Sequence, residues 1–376
     1  MKVPVQSRWL HLFAILFTLA LASAAQAQYI AIDLGTLGGS FSYGYKVNDF
    51  GWAVGQARIP SGFGHAYVYD GVQLNDLGTL GGNNSSATDI NNSGKITGWS
   101  GTAGGPSHAF LFDGTAMQDL GTLGGATSVG TGINNYGHVV GRSMTSTGEQ
   151  HAFYYDGTAM QDLGLLPNGT FSAAEGVNDY GMVVGQADTF VDLGGGFGVY
   201  LTHAFLHDGT TMYDLDPFGI YSVAYSINNN NDVVGFYVNE DGDIHAFLFN
   251  PFSGDFRDLR TLGGLISEAY DINDHGWIVG YSDTKDNATH AFLYIAGKMW
   301  DIHDLLVDPI GWEIMYAYGI SNTNWIVGYG RTPTSGGQIH AVLLQQVGPI
   351  VPEPGPLALL GAGLVGLSLT VWRRRG

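Results

Sequence analysis

A block of about 43 residues recurs along this chain, and that periodicity constrains the fold more than any other property of the sequence. The block is clearest at His108–Met144, HAFLFDGTAMQDLGTLGGATSVGTGINNYGHVVGRSM, and it returns at His151 as HAFYYDGTAMQDLG. Three landmarks mark it. A His-Ala-aromatic triplet begins at His65, His108, His151, His203, His245 and His290, and becomes His-Ala-Val at His340. An Asp-Leu pair begins at Asp33, Asp76, Asp119, Asp162, Asp214, Asp258 and Asp304. An apolar run after an Asn or Asp turn closes on Gly55, Gly98, Gly141, Gly185, Gly235, Gly280 and Gly328.

Each block reads as four short strands, called A to D. In one block they are Ser128–Asn134, Gly137–Ser143, His151–Asp156 and Ala159–Leu163. They are rich in Val, Ile, Tyr and Phe and are bounded by Gly, Asn and Asp. Strands B and C carry apolar residues on both faces, as Val139 beside Val140 and Phe153 beside Tyr154 do, which suits a sheet covered on both sides. Four strands per block is the pattern of propeller blades. The array begins with a lone D strand, Tyr29–Leu34, and ends with a C strand, His340–Gln345, that has no D strand after it. The first strand can therefore complete the last sheet and remove an open edge. The expected fold is all-β: a seven-bladed β-propeller of four-stranded blades closed by the N-terminal strand, spanning residues 28–346.

Both ends have another character. Residues 1–27 read as a signal peptide, with Lys2 and Arg8, an apolar Leu12–Ala22, and the small-x-small site Ala25-Gln26-Ala27. A linker, 347–356, carries Val351-Pro352-Glu353-Pro354. Residues 357–376 form an apolar segment, expected to be a transmembrane helix, and end on Arg373-Arg374-Arg375. Short motif, spanning segment and basic tip together resemble the PEP-CTERM sorting signal of Gram-negative bacteria. The resemblance implies an exosortase as processing partner. It also implies a membrane-held intermediate, then delivery to the cell surface or extracellular matrix. The triplets at His108, His151, His203, His245 and His290 resemble the HAF family of extracellular repeats, with departures at Tyr67 and Val342. That resemblance implies an extracellular location and brings no functional residues with it.

Composition narrows the partners. The chain has no cysteine, which excludes disulfides and thiolate metal sites. Its formal net charge is −19, and five of the 14 basic residues lie in the two end segments. Such a surface repels phosphate backbones and excludes nucleic acid as a partner.

Each possible site has a competing structural role. Seven histidines at one repeat position are held apart by the repeat, so each is expected to bond an Asp or a turn backbone. The Asn-Asp-x-Gly turns at Asn48, Asn178 and Asn273 are expected to serve tight hairpins. The denser acidic loop Asn239–Asp243 offers Asp241 and Asp243 as calcium ligands, without EF-hand spacing. The Asp-Leu-Gly-Thr-Leu-Gly-Gly segments lack the Lys-Ser/Thr ending of a phosphate loop and read as crossings between sheets. The B–C loops vary most, notably Gln186–Thr202 and Gly330–Ile339, and variable loops on a rigid frame favour binding. The residue after each closing glycine also varies: Gln56, Trp99, Arg142, Gln186, Phe236, Tyr281 and Tyr329. Aromatics mixed with Gln and Arg suit sugar rings, and ordinary strand-end packing is the competing role. The expected function is an exported, non-enzymatic surface or biofilm-matrix module that binds exopolysaccharide or protein through the B–C loops. The alternative is an extracellular hydrolase or lyase, with Asp188, Asp192, Glu240 and Asp241 as scattered candidates.

Overall fold

The computed structural model describes residues 28–348 apart from 196, 216–219 and 333–335. The expected signal peptide and sorting tail lie outside the described residues. Strand β1 is Tyr29–Asp33. The first sheet is β2 (Ser42–Val47), β3 (Ala53–Arg58), β4 (Gly64–Tyr69) and β5 (Leu74–Gly78). The second is β6 (Gly81–Ile90), β7 (Ile96–Thr102), β8 (Ser107–Phe112) and β9 (Met117–Asp119). The third is β10 (Gly124–Ile133), β11 (Val139–Thr145), β12 (Gln150–Tyr155) and β13 (Met160–Gly164). The fourth is β14 (Ser172–Val177), β15 (Val183–Gly194), β16 (Phe197–His207) and β17 (Met212–Asp214).

The fifth group is β18 (Ser222–Ile227), β19 (Val233–Val238), β20 (Ile244–Asn250) and β21 (Asp255–Arg260). The sixth is β22 (Gly263–Ile272), β23 (Ile278–Thr284), β24 (Thr289–Ile295) and β25 (Lys298–Asp301). One parallel contact, Ile244 with Ile266, links the fifth and sixth groups into an eight-stranded sheet. The last strands are β26 (Glu313–Ile320), β27 (Ile326–Arg331) and β28 (Ile339–Gln346). Their fourth partner is β1, which runs antiparallel to β28 from Tyr29 opposite Gln346 to Asp33 opposite Val342.

The conserved triplet is explained by packing. Its alanines, Ala66, Ala109, Ala152, Ala204, Ala246, Ala291 and Ala341, are buried between neighbouring sheets. Its aromatic residue lies across the closing glycine of strand B. A Cβ on Gly141 would strike the carbonyl oxygen of Val129 and sit 2.9 Å from the Phe153 ring, so only glycine fits. Full burial of Phe110, Phe153, Phe205 and Phe292 contributes on the order of 2–3 kcal/mol each. The core is divided among the interfaces between sheets. Val54 and Ala66 of the first sheet pack on Ile90, Ile96 and Phe110 of the second. Val327, Ala341 and Leu343 of the last pack on Val47, Ala53 and Tyr67 of the first.

Buried serines stitch the same interfaces. Ser85 Oγ accepts the Ala66 N–H at 2.8 Å, and Ser128 and Ser172 do the same for Ala109 and Ala152. Ser222 and Ser267 serve Ala204 and Ala246, and Ser42 serves Ala341 across the first and last sheets.

The histidines pair within their own sheets. Nδ1 of His65, His108, His151, His203 and His245 donates to Asp76, Asp119, Asp162, Asp214 and Asp258 at 2.8–3.1 Å. His340 reaches Asp33, 307 residues away. The sixth pair departs from the landmark reading: His290 bonds Asp301 at 2.6 Å, not Asp304. A 3-10 turn at Ile302–Leu305 follows Asp301 directly and carries Asp304 past the histidine.

Candidate functional site: a central acidic cavity

A cavity of about 550 Å³ is lined by residues from the inner strand of every sheet. The sequence builds it through a repeated irregularity. Each of β2, β6, β10, β14, β18, β22 and β26 has a register shift facing the closing glycine of its partner strand. The residue left over at each shift is Tyr45, Thr88, Thr131, Glu175, Tyr225, Tyr270 or Tyr318, and all seven line the cavity. A bulge re-aims the side chain it leaves unpaired, and bulges recur beside functional sites.

The two sides of the cavity differ. Tyr270 and Tyr318 stack at 4.4 Å, with Tyr45 and Tyr225 against them, so sheets one, five, six and seven contribute a phenolic wall. Burial raises the pKa of each of these tyrosines. At the bulge position the second and third sheets carry threonines, whose hydroxyls donate to Gly130 O and Ala174 O of the next sheet.

In three sheets the residue after the bulge is charged: Lys46, Asp89 and Asp271. Lys46 Nζ meets Asp271 Oδ1 at 2.7 Å. Burial alone would lower the lysine pKa, but Asp271 and Asp89 hold it above its ordinary value. Asp271 also accepts from Ser226 Oγ and the Ile320 N–H. Asp89 is buried and accepts from the Ile90 and Ile133 N–H groups. Burial pushes its carboxyl up to about 6, with Lys46 opposing the shift. Glu175 is likewise raised by burial, against the pull of Arg142 at 3.9 Å.

The mouth of the cavity is a belt of Asn and Asp from the A–B turns. The N–H of Asp49 donates to Asn92 Oδ1, Asn92 to Asn135, Asn135 to Asp179, and Asp179 to Asn229. Asn229 donates to Asp274, Asp274 to Asn322, and Asn322 back to Asp49. Phe50, Tyr136 and Tyr180 stand in these turns at about 70% exposure, with Tyr136 stacked on His138.

The ligand-binding and acidic-loop candidates of the sequence do not line this cavity. Gln56 donates to Ser85 O, Arg142 and Gln186 face Glu175, and Phe236 packs on Tyr221 and Tyr225. Tyr281 donates to Glu268, and Tyr329 packs among Tyr43, Tyr316 and Tyr318. Trp99 lines a separate cavity of about 430 Å³ near Asn83 and Ala103. The Gln186–Thr202 loop is a long hairpin of β15 and β16, with Phe190, Leu193, Phe197 and Tyr200 exposed. Asp188 accepts from the Thr170 and Phe171 N–H groups and shapes a turn. Asp192 does the same for Gly194. The backbone of Asp241 and Asp243 is held by Asn239 Oδ1. Neither belongs to a metal-sized cluster, and Glu240 lies in the same outer loop. The Asn-Asp turns at Asn48, Asn178 and Asn273, expected only to serve hairpins, line the cavity mouth, whereas the bulge residues vary between repeats and have no motif of their own.

Comparison with known proteins adds an address. Residues 351–375 match the PEP-CTERM protein-sorting motif. The chain carries an exosortase sorting signal. Such a signal indicates export to the cell surface of Gram-negative bacteria. Residues 212–312 match a family described only as a protein of unknown function, DUF3466. No curated protein matches the sequence. Among solved structures, an oligogalacturonate lyase in complex with manganese is similar at TM-score 0.50 and 11% identity, covering 87% of this chain and 99% of that one. YCF48 bound to D1 peptide is similar at TM-score 0.46 and 14% identity, covering 87% and 97%. A putative TolB from Agrobacterium tumefaciens gives TM-score 0.44 at 8% identity, covering 86% and 100%. The likeness to the lyase is one of fold, all-β and propeller-like. Among the described residues no helix is long and apolar enough to cross a membrane, and residues 357–376 lie outside them.

Proposed function

We propose that this PEP-CTERM protein is a seven-bladed propeller of HAF repeats, closed by β1, that binds a surface or matrix polysaccharide in its central cavity. The pairing of β1 with β28 and the return of the Asx belt from Asn322 to Asp49 support the closed ring. The observation that carries the binding role is the cavity, lined from all seven inner strands by the residues that break the repeat. Exposed Phe50, Tyr136 and Tyr180 offer stacking faces to sugar rings at its mouth. The cavity opens among the A–B turns, opposite the variable B–C loops, so the ligand enters through the Asn- and Asp-lined rim.

Charge sets the class of sugar. Lys46 is the one basic residue lining the cavity, and six acids line it: Asp49, Asp89, Glu175, Asp179, Asp271 and Asp274. A surface of this sign rejects uronate chains and accepts neutral or amine-bearing sugars. The test is calorimetric titration of the exported protein with exopolysaccharide from the producing organism, beside a galacturonate oligomer. Saturating heat with the first only, weakened about tenfold or more in the Tyr136→Ala, Tyr180→Ala double variant, is expected. Equal binding by that variant overturns the rim assignment, and no binding to any glycan overturns the function.

A second reading is catalytic. A buried carboxyl that titrates near 6, close to a lysine, is placed like a general acid–base group. Release of reducing ends from the bound polysaccharide, abolished by Asp89→Asn, would move this protein to the glycan-cleaving enzymes.

A further inference from the structure

Six of the seven His–Asp pairs consist of two residues, and one has a third. In the sixth sheet His303 turns back beside His290 and Asp301, and the ligand atoms of the three lie within 4.8 Å of one another. No other such trio occurs among the described residues. The rings of His290 and His303 approach to 4.6 Å between centroids. Each stands against one carboxylate oxygen: His290 Nδ1 at 2.6 Å from Oδ2, and His303 Nδ1 at 3.3 Å from Oδ1.

We propose that His290, Asp301 and His303 form a binding site for a divalent transition metal of the zinc class. The outer face of His303 supports this. Its Nε2 lies 3.0 Å from the carbonyl oxygen of Trp312 and 3.2 Å from the Ile314 nitrogen, so backbone groups fix the ring from behind. Nδ1 faces Asp301 Oδ1 at 3.3 Å, a gap bridged by a proton when the ring is charged and open to a metal ion when it is neutral. An imidazole whose far nitrogen donates to a backbone carbonyl is the arrangement that orients metal-ligating histidines. Two imidazoles and one carboxylate are the donors zinc takes, with a fourth position left for water, whereas calcium requires oxygen ligands throughout. The ligands are half-buried, and each is held before metal arrives: Asp301 by the His303 N–H, His303 by Trp312, and His290 on β24.

The site has a structural consequence. The turn carrying His303 continues into Leu305, Leu306 and Val307, which bond the N-terminal residues. Gln28 N–H donates to Leu305 O, and Val307 N–H donates to Tyr29 O. Metal at His303 thus clamps the segment that holds β1 in place.

The experiment is titration of chelator-treated protein with zinc, with calcium as comparator, read by calorimetry and by melting temperature. Wild type is expected to take up one equivalent of zinc, melt higher for it, and ignore calcium. His303→Ala is expected to bind at least tenfold more weakly. His245→Ala, which breaks a pair that has no third residue, is expected to bind as wild type. Melting curves without metal show that both variants fold; if His303→Ala does not, His303→Gln replaces it. Absent zinc binding, or equal binding with and without His303, overturns the proposal. Affinity falling as pH drops is a second expectation, because protons compete for Nδ1.

Discussion

A buried hydroxyl does more for this protein than its size suggests. Ser128 Oγ accepts the Ala109 N–H at 2.8 Å and donates to Gly121 O, so one side chain joins the second sheet to the third. Ser128→Ala strands a buried N–H, which costs about 1–3 kcal/mol. Urea unfolding should show that loss as a lower midpoint with an unchanged slope. A different residue-scale prediction concerns pH. Asp89 faces Lys46 on β2, Asp271 on β22 and the Ile133 N–H on β10, and its carboxyl is pushed up to about 6. A carboxyl raised above its unfolded value favours the fold when protonated. Its contribution is complete below about 4 and is lost as pH rises through 6. For Asp89 this is on the order of 2–3 kcal/mol. Glu175 and Glu268, both raised by burial, act in the same direction, while His207, lowered by burial, acts against them. The melting temperature should therefore be higher at pH 5 than at pH 7.5; a curve that falls on acidification through this range contradicts the assignment.

At the scale of elements, β1 is the strand on which most depends. It contributes a five-residue ladder to β28, the fully buried Tyr29, and the Asp33 partner of His340. Removing Gln28–Leu34 forfeits these together, at about 1 kcal/mol per hydrogen bond plus the burial of Tyr29. A fall of well over 10 °C in melting temperature is expected, and an unchanged value would refute the role of β1. The strands themselves were legible in the sequence because turn residues bound them and apolar residues fill them. The His–Asp pairing was half legible: both residues stood out, but the partner of each emerged only from the C–D register. In the sixth sheet the 3-10 turn made Asp301, not Asp304, the partner. The bulges were not legible. A bulge is a property of two strands in register, and Tyr45, Thr88, Thr131 and Glu175 share no residue type that announces one. The serines were legible in principle, since each of six A strands places Ser six residues before its Asn. Their value became plain only when the neighbouring sheet supplied the N–H.

Across the whole molecule, each interface is a copy of the next, yet the parts are not independent. Every described sheet packs on two others, and the Asx belt passes through all seven A–B turns. An open repeat array frays from its ends. The proposed closed ring has no end to fray from and should unfold in one step. Far-UV circular dichroism and tryptophan fluorescence should give coincident urea transitions, and separated midpoints would show that the sheets yield one by one.

The bond between His340 and Asp33 also sets a clock. Three hundred and seven residues separate the two partners. At a synthesis rate of roughly 5–20 residues per second, the first strand waits some 15–60 s for its partner to be made. Throughout that interval the growing protein has an unsealed seam, open to proteases and to strands of its siblings. Until the last repeat emerges, the nascent chain has no β28 for β1 to pair with.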